Sequence, residues 1–145
     1  MESELTGTTA LVTGASSGIG AATARQFAEH GASVALVARC RDRLEALAAD
    51  INTAGGTALV VEADITDRTQ AEAGVQQVVE RFGRLNILVN NAGLMLLGPV
   101  ASADIEEWDR MIAINIQRVL YTTRAALPHL LQAAEEGPRR VADTS

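Results

Sequence analysis

Short apolar or β-branched runs alternate with longer stretches of helical period along the chain, and the unit repeats four times. Thr8 to Gly14 (TTALVTG) reads as a buried strand, and Gly18 to His30 as a helix stopped by Gly31. Ser33 to Ala38 (SVALVA) is the second strand. Asp42 is placed to cap a helix in which Leu44, Leu47, Ala48 and Ile51 keep the i, i+3, i+4, i+7 spacing, until Gly55 and Gly56 end it. Thr57 to Ala63 (TALVVEA) is the third strand. The next helix carries Ala71, Val75, Val78, Val79 and Phe82 on one face, starts from a Thr66 cap and ends at Gly83. Leu85 to Asn90 (LNILVN) is the fourth strand. After a loop with Gly93, Gly98 and Pro99, Asp104 and Glu107 form a capping-box pattern for a long helical region reaching about Ala134, in which Pro128 is expected to kink or end a turn.

Apolar strands without alternation, joined by helices, imply a parallel sheet covered on both faces. Right-handed crossovers then restrict the topology to a doubly wound α/β fold, Rossmann-like, with strand order 3-2-1-4. Residues 1–145 read as one such domain, incomplete at its C-terminal end, where RRVADTS offers only a doubtful fifth strand. If the sheet stops at the fourth strand, ILVN lies at or near an edge. The helix bearing Trp108, Met111, Ile112, Ile116 and Leu120 then loses part of its cover and should seek a partner, a second copy or another chain.

Composition narrows the function classes. A net charge of −6 argues against nucleic acid or an anionic membrane as the main partner. The start, MESELTG, has neither a basic n-region nor an apolar h-region, and the longest apolar stretch, LNILVNNAGLMLLGPV, is interrupted by three asparagines and two glycines, so neither a signal peptide nor a membrane span is read. A lone Cys40 cannot form an internal disulfide, which fits a reducing cytoplasm. No metal-ligand cluster is evident. All twelve basic residues are arginines. Any chemistry that needs a lysine is therefore outside the means of these 145 residues alone.

The candidate chemistry centres on Thr13 to Gly20, TGASSGIG, at the junction of the first strand and first helix. A helix N-terminus there attracts anions. Gly14 permits the tight turn, Gly18 lets backbone approach a pyrophosphate, and Gly20 lets the helix pack close to the sheet, while Ser16 and Ser17 add hydroxyl donors. An ATPase-type phosphate loop is excluded by the missing lysine.

Together, TGASSGIG, Asp64 after the third strand, NNAG (Asn90 to Gly93) after the fourth and Asn115 in the helix beyond resemble the short-chain dehydrogenase/reductase family, over Thr6 to about Leu131. The resemblance implies a nicotinamide dinucleotide and hydride transfer to or from a small carbonyl or alcohol substrate. It implies cofactor contacts at Gly14, Ser16, Ser17, Gly18, Ile19, Gly20, Asn91, Ala92 and Gly93, an adenine site at Asp64 and the Ile65 backbone, and a catalytic role for Asn115 in a proton relay. Asp64 could equally cap the following helix, though Thr66 and Asp67 compete for that role, and Asn90 and Asn91 could serve only to satisfy backbone groups in a tight loop.

A ribose 2′-hydroxyl is usually held by an acid about 20 residues beyond the glycines. Here the second strand ends Val37, Ala38, Arg39, Cys40, Arg41. With no carboxylate at that end, Arg39 suits a 2′-phosphate and Arg41 adds charge, so NADP(H) is favoured over NAD(H). The family's catalytic tyrosine and the lysine four residues after it have no match. The single tyrosine, Tyr121, is followed at that distance by Ala125, and reads as a helix-face residue. His30 and His129 sit beside no nucleophile signature. Ser145 stands near the family's serine position without strand to hold it. Three readings result: an oxidoreductase of this family whose 145 residues are inactive by themselves, a non-catalytic dinucleotide-binding module, and one subunit of a split enzyme.

Overall fold

Thr9–Thr13 (β1) is buried at every position, which is what a strand flanked on both sides and covered on both faces requires. It pairs in parallel with Ser33–Ala38 (β2) on one side and with Ile87–Val89 (β4) on the other, and β2 pairs with Thr57–Glu62 (β3). The order is 3-2-1-4, as the pattern predicts. The computed structural model describes residues 3–93 and 98–137. Registers Leu11↔Ala35, Leu11↔Leu88 and Ala35↔Leu59 bring the carboxyl ends of the strands to one side of the sheet.

Successive side chains along a strand point to opposite faces, and the core divides accordingly. Val12, Val34 and Leu36 pack with Ala24 and Ala28 of α1 (Gly18–Glu29) and Leu44, Leu47 and Ile51 of α2 (Arg41–Thr53). Leu11, Ala35, Val37 and Val61 pack with Ala71, Val75 and Val78 of α3 (Arg68–Phe82) and Ala126 of α4 (Ile105–Glu136). Two helices therefore cover each face.

Helix starts depart from the sequence reading at two points. Cys40, not Asp42, holds the N-cap position of α2 in extended conformation, and Asp42 lies in the first turn, where its charge complements the helix dipole. Asp67, not Thr66, caps α3, its carboxylate accepting from the Gln70 N–H at 2.9 Å. Thr66 is diverted because its own N–H and hydroxyl both bond Asp64. Asp104 caps α4 as expected, but its side chain accepts from the Glu106 N–H, while the Glu107 N–H bonds the Asp104 carbonyl and not the carboxylate that a capping box would use. The helix runs on through Pro128 to Glu136, close to the expected end at about Ala134.

Arg84, 4% exposed, was not singled out by the sequence. It donates to the carbonyls of Ala133 and Gly137, a cation at the negative end of α4 that joins this end to the approach to β4. The doubtful fifth strand and Ser145 lie outside the described residues. Among the described residues β4 ends the sheet, and α4 carries an exposed apolar stripe that includes Trp108, Ile112, Ile116 and Leu120, the last 59% exposed. Among the described residues no helix is long and apolar enough to cross a membrane.

Candidate functional site

The strand ends open onto a cleft of about 380 Å³, within the range of small-ligand and cofactor sites. From the first βα turn it is lined by Gly14, Ser16 and Ser17; from the end of β2, by Arg39; from the end of β3, by Asp64 and Ile65; and from beyond β4, by Asn91, Ala92 and Gly93. Nine of the residues singled out by sequence thus meet in one place although up to 79 positions separate them. Gly18, Ile19 and Gly20 form the first turn of α1 beside it. Ile19 is 78% exposed, an apolar side chain at the cleft's margin.

The glycine turn is built by close approach. Gly14 has φ +64°, and a Cβ there would stand 2.9 Å from the Ala92 Cα. A Cβ on Gly20 would collide with the Gly14 carbonyl oxygen and stand 2.5 Å from Asn91 Nδ2. At Gly18 nothing lies within 4 Å of the same construction, so the backbone there is open to an approaching group. Ser17, the residue before α1, is extended and its side chain makes no cap bond to the helix, which leaves its hydroxyl available for a ligand.

The loop after β4 is fixed to this turn by side chains. Thr13 Oγ1 donates to the Val89 carbonyl at 3.3 Å and accepts from the N–H groups of Asn91 (3.0 Å) and Ala92 (3.1 Å). Asn91 Nδ2 donates to the Gly14 carbonyl. Asn90 Nδ2 donates to Thr123 Oγ1 of α4. The backbone-satisfying role considered for these asparagines is therefore real for Asn91, and it positions the cleft's floor. Thr13 carries the same task and was legible only as a buried strand residue. Asn115 does not line the cleft; its Oδ1 lies 3.3 Å from the position a Gly93 Cβ would take, which sets its side chain against the end of that loop.

Asp64 does not take the capping role weighed for it, which falls to Asp67. One Asp64 carboxylate oxygen, Oδ1, accepts from the Thr66 N–H at 3.0 Å and hydroxyl at 2.6 Å, organising the turn before α3. Those bonds, the hydroxyl's above all, hold the Asp64 carboxyl below its ordinary range, with Arg39 and Arg118 assisting and burial opposing. Oδ2 has no partner among the described residues and remains able to accept from an amino group.

The charge arrangement corrects one expectation. Arg41 does not join Arg39 at the cleft: it donates to Glu62 at 2.9 Å and to Glu45 at 3.2 Å, and these two carboxylates raise its pKa. The second cation in the lining is Arg118 of α4, which sequence reasoning missed. It stands three positions after Asn115, on the same helix face, a spacing that could have revealed it. Tyr121 packs against the core between the sheet and α3, with Ala125 beside it, and does not line the cleft. His30 ends α1, its Nδ1 2.8 Å from the Gln26 carbonyl oxygen, and His129 lies within α4.

Comparison with known proteins agrees with this geometry. A family model described as short chain dehydrogenase matches residues 8–138. The chain is 42% identical over 123 residues to an uncharacterized oxidoreductase of Staphylococcus epidermidis, covering 85% of this chain and 52% of the relative. It is 37% identical over 133 residues to a 2,5-dichloro-2,5-cyclohexadiene-1,4-diol dehydrogenase of Sphingobium indicum, covering 92% and 53%. Among solved structures, a short-chain type dehydrogenase/reductase from Mycobacterium marinum superimposes with TM-score 0.84 at 36% identity, covering 88% of this chain and 52% of the other. A metagenomic short-chain oxidoreductase in complex with NADP superimposes with TM-score 0.81 at 39% identity, covering 88% and 58%. The chain spans about half the length of the curated relatives it matches. With the glycine turn, the 3-2-1-4 sheet and the family match in agreement, the chain belongs to the short-chain dehydrogenase/reductase family.

Proposed function

We propose that residues 1–145 form the dinucleotide-binding part of an NADP(H)-dependent oxidoreductase acting on a small carbonyl or alcohol substrate. The observation that carries this reading is the paired close approach of Gly14 and Gly20 to the Asn91–Ala92 loop, where any Cβ would close the space. Backbone N–H groups at the start of α1, with the Ser16 and Ser17 hydroxyls, receive the pyrophosphate. Gly18 leaves it room, and Ile19 covers it. Asp64 accepts from the adenine amino group beside the Ile65 backbone, and Arg39 takes the 2′-phosphate, where an acid would instead favour NAD. Asn91, Ala92 and Gly93 leave room for the nicotinamide ribose. The bound cofactor supplies or accepts the hydride.

Proton transfer is where these residues stop short. Asn115, whose side chain lies against the Gly93 loop, would support a proton relay, but a phenol acts as a base near neutral pH only when a neighbouring positive charge stabilises its phenolate. Tyr121 packs against the core and has Ala125 where the family pattern has lysine. These 145 residues alone are accordingly read as binding cofactor without turning it over. The acid-base pair would come from further polypeptide, and a second copy or a partner chain would cover β4 and the exposed stripe of α4. A non-catalytic binding module is the second reading, favoured by the same position of Tyr121.

NADPH fluorescence separates the outcomes. Titration with the chain should change the emission saturably, and absorbance at the reduced nicotinamide band should stay constant when a panel of aldehydes and ketones is added. Consumption of NADPH would refute the claim of inactivity, and no response at millimolar cofactor would refute the binding site.

A further inference from the structure

The cleft holds a cation that the sequence motifs do not account for. Arg118 reaches it from α4, and its buried Nε has no hydrogen-bond partner among the described residues. Buried N–H donors of this kind are ordinarily satisfied, and a guanidinium left so gains by turning onto an acceptor. Arg39 is its electrostatic neighbour. Burial and then the Arg39 charge lower the Arg118 pKa, and Asp64 opposes them more weakly than Arg39 acts. Two like charges directed into one cleft repel until an anion lies with them. The cation next to Arg39 in sequence space, Arg41, is already neutralised by Glu62 and Glu45.

Resting on the NADP reading above, we propose that Arg118 is a specificity-determining residue that, with Arg39, holds the ribose 2′-phosphate. The phosphate's two negative charges match two guanidinium groups, each presenting N–H donors in a planar fork. Asp64 then keeps Arg118 within the cleft when no phosphate is bound. A dinucleotide without the 2′-phosphate gives Arg118 nothing to neutralise.

Calorimetric titration of the chain and of Arg118→Gln with NADPH, NADH, 2′,5′-ADP and 5′-AMP tests this. Loss of one charge-assisted contact should weaken NADPH and 2′,5′-ADP by roughly tenfold and leave NADH and 5′-AMP within about twofold. Arg118→Lys, which keeps the charge and loses the fork, should fall between. Thermal unfolding of each variant reads folding separately, and Arg118 is only partly buried. Equal losses for all four ligands would make Arg118 an adenosine contact and overturn the proposal, as would no loss for any. If the unsubstituted chain binds neither NADPH nor 2′,5′-ADP, the cofactor reading itself fails, and this inference with it.

Discussion

Gly20→Ala is expected to destabilise the fold and abolish measurable cofactor binding together. The added methyl meets the Gly14 carbonyl oxygen and Asn91 Nδ2, one backbone and the other tied to that carbonyl, so neither yields as the end of a flexible side chain would. Helix α1 must move off the turn, and with it the N–H groups that would face the pyrophosphate. Overpacking of this sort costs about 1–3 kcal/mol, and the shift in Tm for a chain of this size is roughly 2–4 °C per kcal/mol. Gly98→Ala is the control, since a Cβ there meets nothing within 4 Å and no left-handed φ is involved. Circular dichroism melts and NADPH titration of both variants check the pair. A Gly20→Ala chain with unchanged Tm and affinity would show that the turn is not held by this contact.

Arg39→Asp should reverse the cofactor preference. The substitution removes a guanidinium from the cleft, places a carboxylate where a 2′-phosphate would sit, and supplies the acceptor that a 2′-hydroxyl needs. A charge-assisted hydrogen bond contributes about 1.5–3 kcal/mol, so the ratio of NADPH to NADH affinity should fall by roughly a hundredfold once repulsion is added. The change reads as weaker NADPH and slightly tighter NADH. An unchanged ratio would place the 2′-phosphate away from Arg39. Because Arg39 also helps hold Asp64 ionised, Arg39→Asp should move the Asp64 carboxyl upward, toward its ordinary value.

Local pattern carried most of the fold. The strand interiors, the helix faces and the 3-2-1-4 order all follow from period and from the handedness of crossovers, because burial on two faces leaves a continuous apolar run that few other arrangements produce. What was hidden depends on contacts between distant segments. Arg41 reads as a cleft cation until pairing of β2 with β3 sets Ala38 opposite Glu62 and brings that carboxylate to it, although Glu45, four residues on, was visible. Thr13 gives no sign in sequence that its hydroxyl would join Val89, Asn91 and Ala92. Arg118 stands 54 positions from Asp64 and enters the cleft only because α4 packs across the same face as α3. Capping residues were displaced for a local reason: Asp64 engages Thr66 first, and the next acid, Asp67, takes the helix.

The central claim is that the glycine turn, the ends of β2 and β3 and the loop after β4 form one site for a phosphorylated dinucleotide. Backbone amide NMR of the chain titrated with NADPH tests it most directly. The account predicts shifts concentrated at Gly14 to Gly20, Arg39, Asp64, Ile65 and Asn91 to Gly93, with the exposed stripe of α4 unaffected. Saturable binding with shifts confined to other segments, or no shifts at all, would contradict it.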